Sequence, residues 1–266
     1  MHLTMLDTET RLHYLKAIGI DVWVSRHAPA SDRINSDVSD LASTQTAVST
    51  LLGDVQKTAT PVVPELPLVP EVEAQPILLD SKPTWEDLQS EVAACRQCAL
   101  CESRTQTVFG SGSASSGWMV IGEAPGESED RQGEPFVGRA GQLLTEMLRA
   151  IGLKRDDVFI TNILKCRPPN NRDPLMVEVE ACSDYLHRQI AWLKPKIILA
   201  VGRVSAQNLL KTDKNIGQLR GTVHSLDGIP LIVVYHPAYL LRSPLEKRKA
   251  WQDLQLAIAT FDEIKG

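Results

Sequence analysis

The run Trp118-Met119-Val120-Ile121-Gly122, continued by Glu123-Ala124-Pro125-Gly126, decides the fold. Five uncharged residues that close on a Gly/Pro turn read as a strand buried on both faces, not one alternating between core and water. Three more runs of this kind follow: VFITN at 158–162, IILAVG at 197–202 and LIVVYH at 231–236. Helix-patterned stretches separate them, GRAGQLLTEMLRAIG, DPLMVEVEACSDYLHRQIAWL and GRVSAQNLL, and a last helix is expected near 246–263. The alternation predicts an α/β domain with a central, mostly parallel four-stranded sheet flanked by helices on both faces.

Working outward, Thr84-Trp85-Glu86-Asp87 has the pattern of a capping box and marks the start of the globular part. One domain is expected over 85–266, with a mostly disordered extension over 1–84. In that extension Leu12, Leu15 and Ile18 have helical spacing, enough for a short helix near 11–23, and Pro61, Pro64, Pro67 and Pro70 recur every third residue as in an extended linker. The extension carries 6 Lys/Arg against 11 Asp/Glu, the whole of the net charge of -5, while the remaining residues carry 22 of each sign. The acidity of the chain therefore does not argue against a nucleic-acid partner. No run approaches the roughly 18 apolar residues of a membrane helix. The opening MHLTMLDTETR lacks a basic segment followed by an apolar one, so a cytoplasmic protein is expected.

In open α/β sheets ligands bind beyond the carboxyl ends of the strands. Those ends carry Gly122, Glu123 and Ala124, then Asn162, Gly202 and Arg203, and His236 with Pro237. GEAPG brings backbone N–H groups close to a ligand but lacks the Gly-Lys-Ser/Thr ending of a phosphate loop, which argues against nucleotide hydrolysis. Glu123 reads either as a solvated turn carboxylate or as an acidic site group. The Asn162 amide presents donor and acceptor together, as a pyrimidine edge requires. An imidazole at 236 can stabilise a developing anion. Phe136, one of 4 Phe, lies in the polar loop DRQGEPFVG and reads equally as a core anchor or a stacking platform for a base. Lys165, Arg167 and Arg172 follow one strand end, and Arg242, Lys247, Arg248 and Lys249 another, which suits a phosphate-contacting rim.

Five cysteines, Cys95, Cys98, Cys101, Cys166 and Cys182, combine a close cluster with distant single residues. This is how a chain wraps a metal or an iron–sulfur cluster, and spacing alone leaves zinc and iron–sulfur both open. With no export signal, a disulfide framework is not expected.

The stretches GEAPGESEDRQGEPFVGRAGQLL, TNILKCRPPNNRDP and HPAYLLRSP together resemble the type-four, iron–sulfur uracil-DNA glycosylases, from about Cys95 to the carboxyl-terminal helix. The resemblance implies flipping of uracil out of DNA and hydrolysis of its N-glycosidic bond, leaving an abasic site. It also implies a [4Fe-4S] cluster. By that resemblance Glu123, Asn171 and His236 are catalytic, and Gly122, Ala124, Phe136 and Asn162 bind uracil, with Glu129 a candidate to block a C5 methyl. Leu240 or Leu241 would fill the gap left by the flipped base, beside Arg242. The cluster ligands would be Cys95, Cys98, Cys166 and Cys182, leaving Cys101 spare. Implied partners are uracil-containing DNA, single- or double-stranded, with a monomer expected and a protein partner allowed for the extension. Two other readings stay open at this stage, a cluster domain that binds DNA or a polymerase without excision, and a zinc-stabilised nucleotide hydrolase.

Overall fold

The computed structural model describes residues 84–115 and 117–265, with Leu12, His13 and Lys16 from the amino-terminal stretch. Those three are helical, and the rest of the short helix expected near 11–23 lies outside the described residues. The expected disorder and linker over the rest of 1–83 lie outside the described residues.

Thr84 opens the domain as read. Its hydroxyl accepts from the Asp87 amide at 3.1 Å, and the Asp87 carboxylate accepts from the Thr84 amide at 2.7 Å. This reciprocal cap, worth about 1 kcal/mol, starts α1 (Trp85–Ala94). A short α2 (Leu100–Ser103) precedes the sheet.

Six strands form that sheet: β1 (Ser111–Gly112), β2 (Trp118–Gly122), β3 (Phe159–Asn162), β4 (Ile197–Val201), β5 (Val223–Leu226) and β6 (Ile229–Val234), in the order β1-β3-β2-β4-β6-β5. The expectation of four strands is corrected to six. The four apolar runs are the parallel centre, and the two additional strands pair antiparallel at the edges. Both were missed because edge strands carry no continuous apolar run: β1 is two residues long and β5 alternates between exposed and half-buried. The β5–β6 hairpin did carry a signal. Asp227 and Gly228 take φ of 50° and 84°, as a two-residue hairpin turn demands.

The side-chain period of two divides the core. Trp118 and Val120 of β2, Leu199 of β4 and Ile232 of β6 face one apolar cluster; Met119, Ile121, Ile198 and Leu231 face the other. The first cluster is covered by α4 (Arg139–Ala150) and α9 (Lys247–Lys265), the second by α1 and α5 (Met176–Leu193) with α6 (Arg203–Leu210). Shorter helices complete the domain: α3 (Glu127–Gln132), α7 (Ile216–Leu219) and α8 (Pro237–Arg242).

This topology places the site. β3 lies on one side of β2, and the chain then crosses back to put β4 on the other side, so a crevice opens at the carboxyl ends there.

Candidate active site and cysteine centre

Parallel pairing sets the ends of the strands side by side. Gly122 is in register with Asn162, and the ladder runs on, with the Ile163 amide donating to Gly122 O and the Leu164 amide to Glu123 O, both at 3.0 Å. Gly202 donates to Val234 O at 2.8 Å, which brings His236 to the same rim. A cavity of about 760 Å³ opens there, lined among others by Glu123, Phe136, Asn162, Asn171 and His236. The expected residues thus converge on one concavity of ligand-binding size.

Asn162 is buried to 1% exposure, and its side-chain oxygen has no hydrogen-bond partner. A buried polar atom left unpaired costs about 1–3 kcal/mol, so this oxygen is an acceptor open to a donor that enters the cavity. Gly122 makes room for it. A Cβ there would stand 2.3 Å from Asn162 Oδ1 and 2.6 Å from Phe136 Cζ, closer than atoms approach. Phe136 holds a positive φ of 52°, a strained conformation for an aromatic residue, and its ring lies 5.7 Å from that of His236 with a tilt of 31°. One planar slot therefore has Phe136 on its wall and the Asn162 amide at its edge.

The His236 ring caps α8. Its Nδ1 accepts from the Ala238 amide at 3.1 Å, which assigns the hydrogen of the neutral ring to Nε2. Burial, helped by the Arg242 charge, lowers its pKa to about 4, so the ring at neutral pH is an uncharged donor. Glu123 moves the other way: burial and the neighbouring Asp173 carboxylate raise its pKa to about 7, against the pull of Arg203. Arg203 is itself held by Asp173 at 2.5 Å. A carboxyl group that titrates near neutrality beside an uncharged imidazole donor is suited to acid–base chemistry.

Glu129 also lines the cavity, but both carboxylate oxygens are in use: Oε1 accepts from the Val137 and Gly138 amides at 2.9 Å each, and Oε2 from the Gly126 amide at 3.1 Å. It ties the GEAPG turn to the Phe136 loop. Asn171, with φ of 53°, borders the cavity and accepts from Arg167 Nε at 2.8 Å. Ala124 lines the wall.

Two expectations are corrected. Lys165 does not stand at the rim: it is 1% exposed, and its Nζ donates to Thr161 Oγ1, Asn162 O and Gln189 Oε1 at 2.6–2.8 Å. A lysine so placed cannot reach a phosphate. Leu240 is not a gap filler either, because HPAYLLR forms the short helix α8, which turns Leu240 into the core at 1% exposure and leaves Leu241 outside at 39%. Arg167 is half-buried against Asn171 and Glu127, and Arg172 grips the buried Glu178 carboxylate with two bonds. Arg242 stands at the cavity mouth. Sequence reasoning gave no role to Tyr235 and Tyr239, which line the cavity with rings 5.1 Å apart; two tyrosines flanking His-Pro-Ala were the available signal.

The cysteines differ in their packing. Cys166 and Cys182 belong to the cluster beneath α1 and α5, and Cys95 and Cys98 pack against it, whereas Cys101 does not. All five are free thiols. Arg104 donates to Cys166 Sγ at 2.9 Å and to Cys95 O at 2.7 Å, and the Lys165 amide donates to Cys182 Sγ at 3.3 Å. Burial raises the free Cys166 thiol to about 11, against the Arg104 charge. Among the described residues no three His, Cys, Asp or Glu side chains close around a single ion. Each iron of a [4Fe-4S] cluster takes one thiolate, so its ligands stand farther apart than those of one metal ion. Four cysteines from two chain segments, with N–H donors aimed at sulfur, fit such a cluster.

A profile of the uracil DNA glycosylase superfamily matches residues 109–255, which span all six strands. A type-4 uracil-DNA glycosylase of Archaeoglobus fulgidus is 47% identical over 167 residues, 60% of this chain and 84% of that protein. One from Pyrobaculum aerophilum is 44% identical over 179 residues, 64% of this chain and 91% of that one, and one from Sulfurisphaera tokodaii is 47% identical over 168 residues, 60% and 76%. At such identity over most of each relative's length, and with the matched segment carrying the cavity residues, the chain belongs to the uracil DNA glycosylase superfamily, in its type-4 branch.

Proposed function

We propose that this chain excises uracil from DNA by hydrolysing the N-glycosidic bond, releasing free uracil and leaving an abasic site for repair. The unpaired Asn162 oxygen beside the Phe136 ring carries the reading of the base. A stacked duplex hides the target, so the nucleotide is extruded into the cavity at a cost of a few kcal/mol. There uracil stacks on Phe136, its N3–H donates to Asn162 Oδ1, and its O4 accepts from the amide nitrogen. Cytosine, with an unprotonated N3 and an N4 amine, meets donor with donor and acceptor with acceptor.

Departure of the base leaves positive charge on the sugar and negative charge on uracil. The neutral His236 Nε2–H is placed to donate to the uracil anion, as its Nδ1 is held by Ala238. Glu123 as a carboxylate supports the cationic sugar and takes the proton of the attacking water. Asn171 adds a polar contact at the cavity wall. Arg242, which borders the cavity, and the exposed Leu241 before it serve the DNA strand: the guanidinium on a phosphate, the leucine in the gap left by the base. Single- and double-stranded DNA both fit this scheme, since the base is read through contacts to the flipped nucleotide.

Cys95, Cys98, Cys166 and Cys182 hold a [4Fe-4S] cluster in this reading. When bound, it supplies a cross-link between the segment before the sheet and the one that follows Asn162. The enzyme acts as a monomer in the cytoplasm. In this reading residues 85–266 are the glycosylase domain, and residues 1–84 are an extension that engages another protein. In the test, wild type and Asn162→Ala are incubated with oligonucleotides bearing one uracil, and abasic sites are cleaved with alkali. Scission at uracil by wild type and its loss in the variant are expected; no scission by wild type would end the proposal.

A further inference from the structure

Lys165 has no place in the chemistry above, yet the domain buries it completely. Its three acceptors are fixed. Thr161 Oγ1 gives its hydrogen to Phe109 O at 2.9 Å and has a lone pair left for Lys165. Gln189 Nε2 donates to the same Phe109 O at 2.9 Å, which turns its Oε1 toward Lys165. The third acceptor is the carbonyl of Asn162. Lys165 thus makes three side-chain hydrogen bonds at 1% exposure. Its own amide donates to Cys182 Sγ, and its carbonyl accepts from the Val108 amide at 2.7 Å.

We propose that Lys165 is a positioning residue for base recognition: its side-chain nitrogen, tied to Thr161, to Gln189 and to the carbonyl of Asn162, locks the backbone of Asn162 so that the side chain meets the uracil edge. The inference rests on the uracil-excision reading. It gives the cysteine centre a route to the cavity, since the residue that follows Lys165 is a proposed cluster ligand and the lysine nitrogen holds the carbonyl of the base reader three residues back. The element held is the end of β3, stitched to α5 through Gln189.

A double-mutant cycle tests this on the full-length, cluster-loaded protein. Single-turnover excision from a one-uracil oligonucleotide is measured with enzyme in large excess and incubations long enough to give the residual rate of Asn162→Ala, for Lys165→Met in the wild-type and Asn162→Ala backgrounds, with visible absorbance and iron content per chain alongside. Removal of three buried hydrogen bonds, one of them to the Asn162 carbonyl, predicts a loss of about 10- to 100-fold in the wild-type background. In Asn162→Ala the same change should cost less than about 3-fold, because Lys165 acts through Asn162. Iron per chain should stay at the wild-type level, as all four cysteines remain. Equal losses in both backgrounds, or lost iron with unchanged excision, would overturn the proposal. Should Lys165→Met not fold, Gln189→Met removes one acceptor and is put through the same cycle, with a smaller loss confined to the wild-type background and the same refuting result. Absence of excision by the wild type would instead strike the underlying functional reading.

Discussion

Gly122→Ala adds one carbon where none fits. The new Cβ would lie 2.3 Å from Asn162 Oδ1 and 2.6 and 2.7 Å from two carbons of the Phe136 ring. Neither neighbour can yield freely: Asn162 is backed by Lys165, and Phe136 is pinned by the amides of Val137 and Gly138 on Glu129. Overpacking of this kind costs about 1–3 kcal/mol of stability. For a domain of this size that lowers Tm by about 2–4 °C per kcal/mol. The functional loss is larger, since both base-reading groups move at once. A displaced hydrogen bond to a buried amide and a displaced stacking ring, at about 1–3 kcal/mol each, reduce excision at least about 30-fold. Thermal melting and alkaline scission of a one-uracil oligonucleotide measure the two effects on one preparation. A Gly122→Ala protein that melts a few degrees lower yet excises at the wild-type rate would refute the slot built from Gly122, Asn162 and Phe136.

The pH profile reports on Glu123. With its pKa near 7 in the free enzyme, protonation below that value removes the carboxylate, so kcat/KM should fall about tenfold per pH unit on the acid side. Glu123→Gln should abolish this limb, and Arg203→Gln should move it to higher pH, because the guanidinium favours the charged carboxylate; a limb unmoved by both would assign it elsewhere. His236 stays uncharged down to about pH 4 and adds no second limb above that, while His236→Ala, which removes one donor to the leaving group, should lower kcat by about 100- to 1,000-fold. Cys98→Ser should lose the brown colour and the bound iron, whereas Cys101→Ser, outside the apolar cluster that gathers the other four cysteines, should keep both.

The centre of this fold was legible because a strand buried on both faces has no polar position to disguise it. WMVIG and IILAV are β2 and β4 as read, and the rule of carboxyl-end sites then led to Glu123, Asn162 and His236. The edges were not legible, because β1 and β5 gain their order from pairing with a neighbour and bury little side chain of their own. Charge was read less well than position. A lysine between Leu164 and Cys166 looks like a surface residue until Thr161, Asn162 and Gln189 are seen to surround it, and Gln189 comes from a helix 24 residues away in sequence. Leu240 and Leu241 show the same limit. Which of two adjacent leucines faces water depends on the phase of α8, and its start is set by the His236 cap. Glu129 could be placed near the base by resemblance, but its three amide partners are spread over residues 126 to 138 and appear only when the loop closes on itself.

Excision of uracil is tested most directly by the released base itself. Wild-type protein is incubated with matched oligonucleotides that differ only in one central uracil, cytosine or thymine, and free bases and abasic sites are quantified together. The account predicts one free uracil for each abasic site, no free cytosine above background, and loss of uracil release in His236→Ala and Asn162→Ala. Abasic sites without free uracil, or cytosine released as readily as uracil, would contradict it.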